Sequence, residues 1–442
     1  MPGVDFTFGM LALLLVMIGL GFHIVVALGA ASVLGVWILT GNPDVALSIL
    51  STTAFEALRD YVFAVIPLFV LMGEFVARSG AAKDLYVAIN RLLRHMPARL
   101  AVATVFGNAV FAAVVGVSVA SAATFSRIAY PQMLALRYEK TTALGCIAGS
   151  SSLGMLIPPS VLMIVWGVLT ELSIGKLFMA GFLPGIILAV MYAGWCVVLA
   201  MIAPSRFGHT GAVARGSPTV SEPPMSRSEI VGSAGTALLI IVVLGGIWFG
   251  AFTPTEAAGI GALAALAIAL AKGMRRHEIL EVVSETGRTS APILFLLLCA
   301  QMYSRLLALG GIVDDIQSMI IGFGFSPVAI MCLMVVIWLF LGMFVDSVSI
   351  ILLTVPIFTP IAGQMGIDPI AFAIVGILAI EAGILTPPFG LAVFTVKACV
   401  PDPDVTLGQI FRGAAPYWVM LIGLAAAVYA FPGIATTLPS LM

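Results

Sequence analysis

Read from its first residues, the chain is a succession of long apolar runs broken by brief polar ones, near 8–21, 24–39, 62–79, 100–131, 142–171, 177–203, 230–251, 254–271, 291–308, 326–356, 370–399 and 407–432. A hydrocarbon layer is crossed by roughly 20 apolar residues, so runs of this length predict membrane helices. None shows the roughly ten-residue dyad alternation of a barrel strand. Backbone in lipid must also bond within its own segment, so the expected fold is all-α and polytopic. The stretch from Phe6 to Leu39 is too long for a signal peptide and has no basic residue ahead of it. It reads as two retained spans that turn near Gly21, Phe22 and His23.

The two halves of this pattern repeat. Pro67 with Phe69, Glu74 and Arg78 is matched by Pro292 with Phe295, Gln301 and Arg305, and Pro131 by Pro356. Further on, Gly154 to Pro159 is matched by Gly383 to Pro388, and Ser173 to Phe178 by Thr406 to Phe411. The offset grows only from 225 (67 to 292) to 233 (173 to 406), which points to a duplication. The first repeat then covers 1–204: scaffold helices 1–79, an arm 80–99, a hairpin 100–131, a broken helix 142–171 and a helix 177–203. A Ser-, Gly- and Pro-rich linker takes 205–229. The second repeat, 230–442, has scaffold helices 230–271, a helix 291–308, a hairpin 326–356, a broken helix 370–399 and a helix 407–432.

Charge sets how the repeats lie. Lys83, Arg91, Arg94 and Arg99 precede the run at 100–131, and Arg127, Arg137 and Lys140 close it, so the positive-inside tendency puts both ends in the cytoplasm. A run with both ends on one side is a re-entrant hairpin, here with Gly116 near its tip. Its counterpart at 326–356 is flanked by Asp314, Asp315 and Asp368 and should enter from outside. Lys272, Arg275, Arg276 and Arg288 mark an inner loop, whereas 40–61 reads as an outer loop holding Asp44, Glu56 and Asp60 against Arg59 alone. The repeats are therefore expected to be inverted, with ten spans, two hairpins, a cytoplasmic linker and both termini outside.

Composition narrows the classes further. With 61% hydrophobic and 9% charged residues, no soluble core could take up the chain, since an ordinary soluble domain is about a quarter charged. The net charge of −1 and the lack of any Lys/Arg run leave no footprint for nucleic acid. Cys146, Cys196, Cys299, Cys332 and Cys399 lie in apolar segments without CxxC spacing, so they are read as packing residues.

Inverted repeats with broken helices are the architecture in which secondary transporters build a midplane site, with freed carbonyls for cations and helix N-termini for anions. Four breaks are visible: the tip from Gly116 to Thr124, Gly149 to Gly154 with Pro158-Pro159, the second tip from Gly342 to Ser349, and Glu381 to Pro388. Each paired proline removes an N–H donor and leaves carbonyls without partners. Hydroxyl and carbonyl oxygens suit a hard cation such as sodium, and one site per repeat gives two. Ionisable residues at depth need a reason. Asp346 and Glu381, beside the breaks, either shape the second cation site or cap the broken helices. Arg127 either meets an anionic substrate or stands at the cytoplasmic rim.

At these motifs the sequence resembles the large membrane subunit of the TRAP (tripartite ATP-independent periplasmic) transporters. The pattern is carried by Ile66 to Glu74, the Gly116 to Thr124 tip, Leu156 to Ser160, Gly167 to Gly175, Thr253 to Glu256, Gly342 to Asp346 and Gly383 to Pro388, which span essentially the entire chain. The resemblance implies a scaffold and a mobile body carrying both hairpins, moving as an elevator and driven by sodium in the inner membrane. It implies a small four-helix membrane subunit as a separate polypeptide, and a soluble periplasmic binding protein that delivers an organic acid. Carried over by motif, a first sodium site draws on Ser118, Ser121, Ser151, Ser152 and Gly154, and a second on Gly342, Asp346, Ser347, Gly383 and Thr386. Arg127, Thr124, Pro158, Pro159, Pro387 and Pro388 would lie close to substrate.

Three rivals stand beside this reading. Gly116-Val-Ser118-Val has the look of an intramembrane serine protease, but none of His23, His95, His209 and His277 lies where it would reach Ser118 as a base. A stand-alone sodium/carboxylate symporter of related fold would need no binding protein. A membrane assembly scaffold would not need four broken helices.

Overall fold

The computed structural model describes residues 4–210, 225–322 and 324–442, and every regular element among them is a helix. The first half runs α1 (Val4–Gly19), α2 (Ile24–Thr40), α3 (Pro43–Arg59), α4 (Val65–Arg78, entered by a 3-10 turn at Tyr61–Ala64), α5 (Ala81–Leu92), α6 (Arg99–Val115) and α7 (Ser118–Ala135). It continues through α8 (Lys140–Ser151), α9 (Leu153–Leu156), α10 (Val161–Thr170) and α11 (Ile174–Ile202). The second half runs α12 (Arg227–Trp248), α13 (Pro254–Ala271), α14 (Arg276–Gly310), α15 (Ile312–Gly322), α16 (Pro327–Gly342) and α17 (Ser347–Gln364). It ends with α18 (Pro369–Gly383), α19 (Leu391–Cys399), α20 (Leu407–Ala430) and α21 (Gly433–Thr436).

Local signals explain these boundaries. Thr253 and Glu256 close a capping box ahead of α13 with Pro254 in its first turn, and Ser226 with Glu229 and Thr406 with Gln409 do the same for α12 and α20. Eight helical stretches are long and apolar enough to cross a bilayer. They include seven of the ten expected spans. The other three are α1 and α2, which are shorter, and the second broken helix, interrupted between α18 and α19.

Both hairpins form as helix, turn, helix. The α6–α7 turn sits at Gly116 (φ 66°), where an added Cβ would lie 2.4 Å from the Pro159 carbonyl oxygen, so both the left-handed backbone and the close approach require glycine. The α16–α17 turn falls at Met343 to Asp346, and Asp346 accepts from the Ser349 N–H at 3.0 Å to start α17. Both broken helices are interrupted at their paired prolines, Pro158-Pro159 and Pro387-Pro388, each a cis peptide. The contacts are reciprocal. α6 packs on α8 as α16 packs on α18, and α7 packs on α19 as α17 packs on α10. This exchange of hairpin for hairpin is what a duplicated chain predicts.

Three features depart from the hydropathy reading. The 40–61 stretch is not a loop: Asn42 caps Asp44 N–H at 2.9 Å, Pro43 opens α3, and the helix rests Ala46, Leu50 and Ala57 against its neighbours. α14 starts fifteen residues before the expected 291, at Arg276, because Glu278 closes a box on Arg275 N–H. The linker's first residues are docked. Phe207 is buried against Tyr138 with ring centroids 5.4 Å apart, and Glu139 N–H donates to the Arg206 carbonyl at 2.8 Å. Residues 211–224 of the 205–229 linker lie outside the described residues.

The open end of the hairpin α6–α7 is tied to the second repeat. Lys140 at the start of α8 and Tyr130 on α7 both donate to Asp402, at 2.7 and 3.1 Å, in the loop after α19. The Lys140 ammonium holds the Asp402 carboxyl below the ordinary range, with Tyr130 adding to it and desolvation opposing. A depressed folded pKa contributes stability that is present above the unfolded value and is lost as pH falls through the folded one. The thermal midpoint should therefore drop as pH falls from about 5 towards 3, and Asp402→Asn should flatten that acid limb. An unchanged acid limb in the variant would remove Asp402 from the account.

Candidate functional site

Ser118 and Ser347 are the first residues of α7 and α17, so each hydroxyl stands at a hairpin tip and beside the free N–H groups of a helix N-terminus. Both point at one side chain. Ser118 Oγ donates to Glu381 Oε2 at 2.5 Å, and Ser347 Oγ donates to Glu381 Oε1 at 3.1 Å. Glu381 lies on α18, two residues before Gly383, and is 0% exposed. Among the described residues no salt bridge reaches it, so its partners are hydroxyls and the positive ends of helices.

Glycines bring the backbones this close. A Cβ on Gly154 would lie 3.0 Å from Ser118 Cα, and one on Gly342 would lie 2.7 Å from Gly383 Cα. Each tip is also bonded to its own break: Val161 N–H donates to the Gly116 carbonyl at 3.2 Å, and Gly390 N–H to the Met343 carbonyl at 3.3 Å. Ser118, Gly154, Gly342, Ser347 and Gly383 thus gather around Glu381, joining residues that the sequence divides between two sites.

The remaining expected residues spread out. Ser121 is fully buried and its hydroxyl has no partner, which leaves an oxygen for a ligand. Thr386, also buried, donates to the Gly383 carbonyl at 2.7 Å. Ser151 donates to the Ala148 carbonyl at 2.7 Å, while Ser152 donates to Gly149 at 2.8 Å and meets Tyr192 Oη at 3.0 Å. Those two hydroxyls are engaged within α8 and with α11. Asp346, exposed, serves as the N-cap of α17. Arg127 is exposed and nine residues past Ser118, about 13 Å along α7, and Thr124 is half-buried.

The two breaks differ in access. Pro158 and Pro159 are buried, whereas Pro387 and Pro388 are exposed and lead into the exposed Phe389, whose ring lies 5.7 Å from Phe344 at the second tip. One more convergence was not foreseen. Asp60, Tyr61, Glu171, Ser173, Thr253 and Thr255 line one cavity of about 350 Å3, where the α10–α11 loop meets the loops before α4 and α13.

A hard cation fits the oxygen donors at Glu381, the Ser118 and Ser347 hydroxyls and the buried carboxylate, and the unpartnered Ser121 hydroxyl on α7 adds one more oxygen in the first hairpin. Glu381, which neither motif-derived ligand set includes, joins Ser118 and Ser347 at this centre. Its signal was an ionisable residue deep in an apolar run.

The family model for the tripartite ATP-independent periplasmic transporter, DctM component, matches residues 11–434. This chain belongs to that family. It is 34% identical to the C4-dicarboxylate TRAP transporter large permease protein DctM of Pseudomonas aeruginosa, over 91% of this chain and 92% of that one. The ectoine TRAP transporter large permease TeaC of Halomonas elongata is 29% identical over 98% of both chains. The sialic acid TRAP transporter large permease SiaM of Vibrio cholerae is 28% identical over 98% and 97%. These relatives are transporter permeases, and the chain is a membrane subunit of a TRAP transporter rather than an enzyme. The Ser118 hydroxyl, the supposed nucleophile, donates to a carboxylate.

The fold reaches beyond the family. The solved structure of the Alcanivorax borkumensis YdaH transporter matches with a TM-score of 0.66 at 13% identity, covering 89% of this chain and 90% of that one. That of Neisseria gonorrhoeae MtrF matches at 0.55 and 15%, covering 87% and 84%. Two hairpin tips and two helix breaks thus meet inside the protein, which is where backbone freed from helical bonding is tolerated at membrane depth.

Proposed function

We propose that this TRAP membrane subunit is the translocating component of a sodium-coupled importer of an organic acid. The observation that carries the reading is the convergence of both hairpin tips on a single buried carboxylate, Glu381. Ser118, Ser121 and the break from Ser151 to Gly154 would hold one sodium ion, and Gly342, Asp346, Ser347, Gly383 and Thr386 a second. Bound sodium supplies positive charge beside a substrate carboxylate. The chain's own residues position it: the N-termini of α7 and α17 both meet Glu381, and the exposed Phe389 that follows Pro387 and Pro388 lies against Phe344 at the second tip.

The moving body would comprise the two hairpins and the two broken helices, carried past a scaffold of α1–α4 and α12–α13. The termini would lie in the periplasm and the 205–229 linker in the cytoplasm, in keeping with the basic residues near Lys272 and Arg94. A small membrane subunit and a periplasmic binding protein complete the system, as the family's tripartite description suggests. The C4-dicarboxylate and sialic acid relatives are in keeping with an organic acid as cargo.

Proteoliposomes containing both membrane subunits and the loaded binding protein should take up the acid under an inward sodium gradient. Equal uptake with potassium in place of sodium would refute the coupling. Uptake of the free acid without the binding protein would favour the stand-alone symporter.

A further inference from the structure

We infer that Glu381 is a positioning residue for both cation sites, holding the Ser118 and Ser347 hydroxyls as outward-facing acceptors and tying the two sites together. The inference rests on the sodium reading above and goes beyond it, since Glu381 is part of neither ligand set.

A serine hydroxyl has one hydrogen and two lone pairs, and an ionised carboxylate only accepts. When both serines donate to Glu381, their hydrogens are committed to its two oxygens, at 2.5 and 3.1 Å. Their lone pairs are then turned away from the carboxylate, available to a cation at each tip. A hydroxyl free to rotate would present its hydrogen to that cation in some orientations. The same bond makes each hydroxyl oxygen a better donor of electron density, as partners of this kind do for metal ligands.

In its ionised form Glu381 would also supply negative charge to two monovalent cations that otherwise stand in a dry interior, a costly arrangement when unpaired. Its place in the fold suits this. The residue lies on α18 of the second repeat yet reaches Ser118 of the first, 263 positions away, so one side chain spans the junction between the halves. In the first repeat the position at the same offset, 381 less 229, is Ser152, whose hydroxyl turns to the Gly149 carbonyl and Tyr192 instead. The duplicated chain therefore has one such carboxylate for two tips.

The test is a sodium titration of thermal stability in detergent, at constant ionic strength with choline as the replacing cation. Wild-type protein should be stabilised by sodium with a defined midpoint concentration. In Glu381→Gln the amide nitrogen faces one of the serines as a donor, so that hydroxyl must reverse. Its sodium midpoint should rise about 10–100-fold, the usual cost of losing a partner behind a metal ligand. Glu381→Asp keeps the charge and should recover part of the affinity. Melting in choline alone should not fall in Glu381→Gln, so a weaker sodium response there reports positioning rather than loss of structure.

An unchanged sodium midpoint in Glu381→Gln would overturn this inference and leave the sodium reading standing. No sodium effect on wild-type protein would overturn both. Should Glu381→Gln not fold, Ser118→Ala and Ser347→Ala carry the test. Each should raise the midpoint at least tenfold, and unchanged midpoints in both would overturn the proposal.

Discussion

Gly383→Val should reduce uptake at least tenfold while the protein still reaches the membrane. A side chain at this position has nowhere to go. Its Cβ would stand 2.7 Å from Gly342 Cα and 2.8 Å from the Leu339 carbonyl oxygen, both backbone atoms of α16. A flexible neighbour could swing aside, but backbone can yield only by moving α16 away from α18. Over-packing of this kind costs about 1–3 kcal/mol, and here the strain falls on the contact that sets Ser347 against Glu381. The hairpin tip would be displaced from the break, and the hydroxyl from its carboxylate. Gly423→Ala on α20, where nothing lies within 4 Å of an added Cβ, is the control and should behave as wild type. Uptake in proteoliposomes, normalised to the monodisperse fraction on size exclusion, decides the matter. Wild-type uptake by Gly383→Val would mean that the tip and the break need not touch for transport.

How far the sequence foretells this arrangement varies from residue to residue. The hairpins are legible because charge flanks each run of about 30 apolar residues so that both ends fall on one side, with small residues at Gly116 and around Asp346 where the chain can turn. The paired prolines announce the breaks by removing donors. The helix α3 escaped because Asp44, Glu56, Asp60 and Arg59 lower the hydropathy of a stretch whose Asn42-Pro43 start signal was nevertheless present. Hydropathy measures lipid solubility, and an amphipathic helix lying along other helices needs only one apolar face.

The site was half legible for a different reason. Hydroxyls near breaks are easily named, but their direction is decided by neighbours far along the chain. Ser118 and Ser152 look alike in sequence, yet one meets Glu381 and the other Tyr192. Glu381 was visible as a costly charge in an apolar run, but its tie to Ser118 joins the two repeats and cannot be read from a local pattern. Arg127 is near the tip in sequence, while nine residues of α7 set it about 13 Å along the helix from Ser118. Asp346 carried two readings, and the cap is the one its geometry displays.

Lys272→Met should lower the thermal midpoint sharply, and with it uptake, although Lys272 is far from any ion site. The Lys272 ammonium pairs with Asp84 on α5 and also reaches Ser228 Oγ on α12 at 3.2 Å, so one side chain at the end of α13 pins three helices. The pair is nearly dry, with side chains 7% and 11% exposed. Gly232 on α12 closes over it, for a Cβ there would sit 2.0 Å from Asp84 Oδ2. Removing only the cation leaves a buried carboxylate uncompensated, a loss of about 3–5 kcal/mol. The consequence for transport follows from connectivity: α5 packs on α6, so an arm released from α12 and α13 no longer fixes the start of the first hairpin. Asp84→Asn combined with Lys272→Met removes the stranded charge while keeping the shape, and should recover most of the stability, because the pair's net worth is far smaller than the cost of breaking it. Melting curves of wild type, both single variants and the double variant form the required cycle. A double variant no more stable than Lys272→Met alone would show that the arm is held by packing rather than by this ion pair.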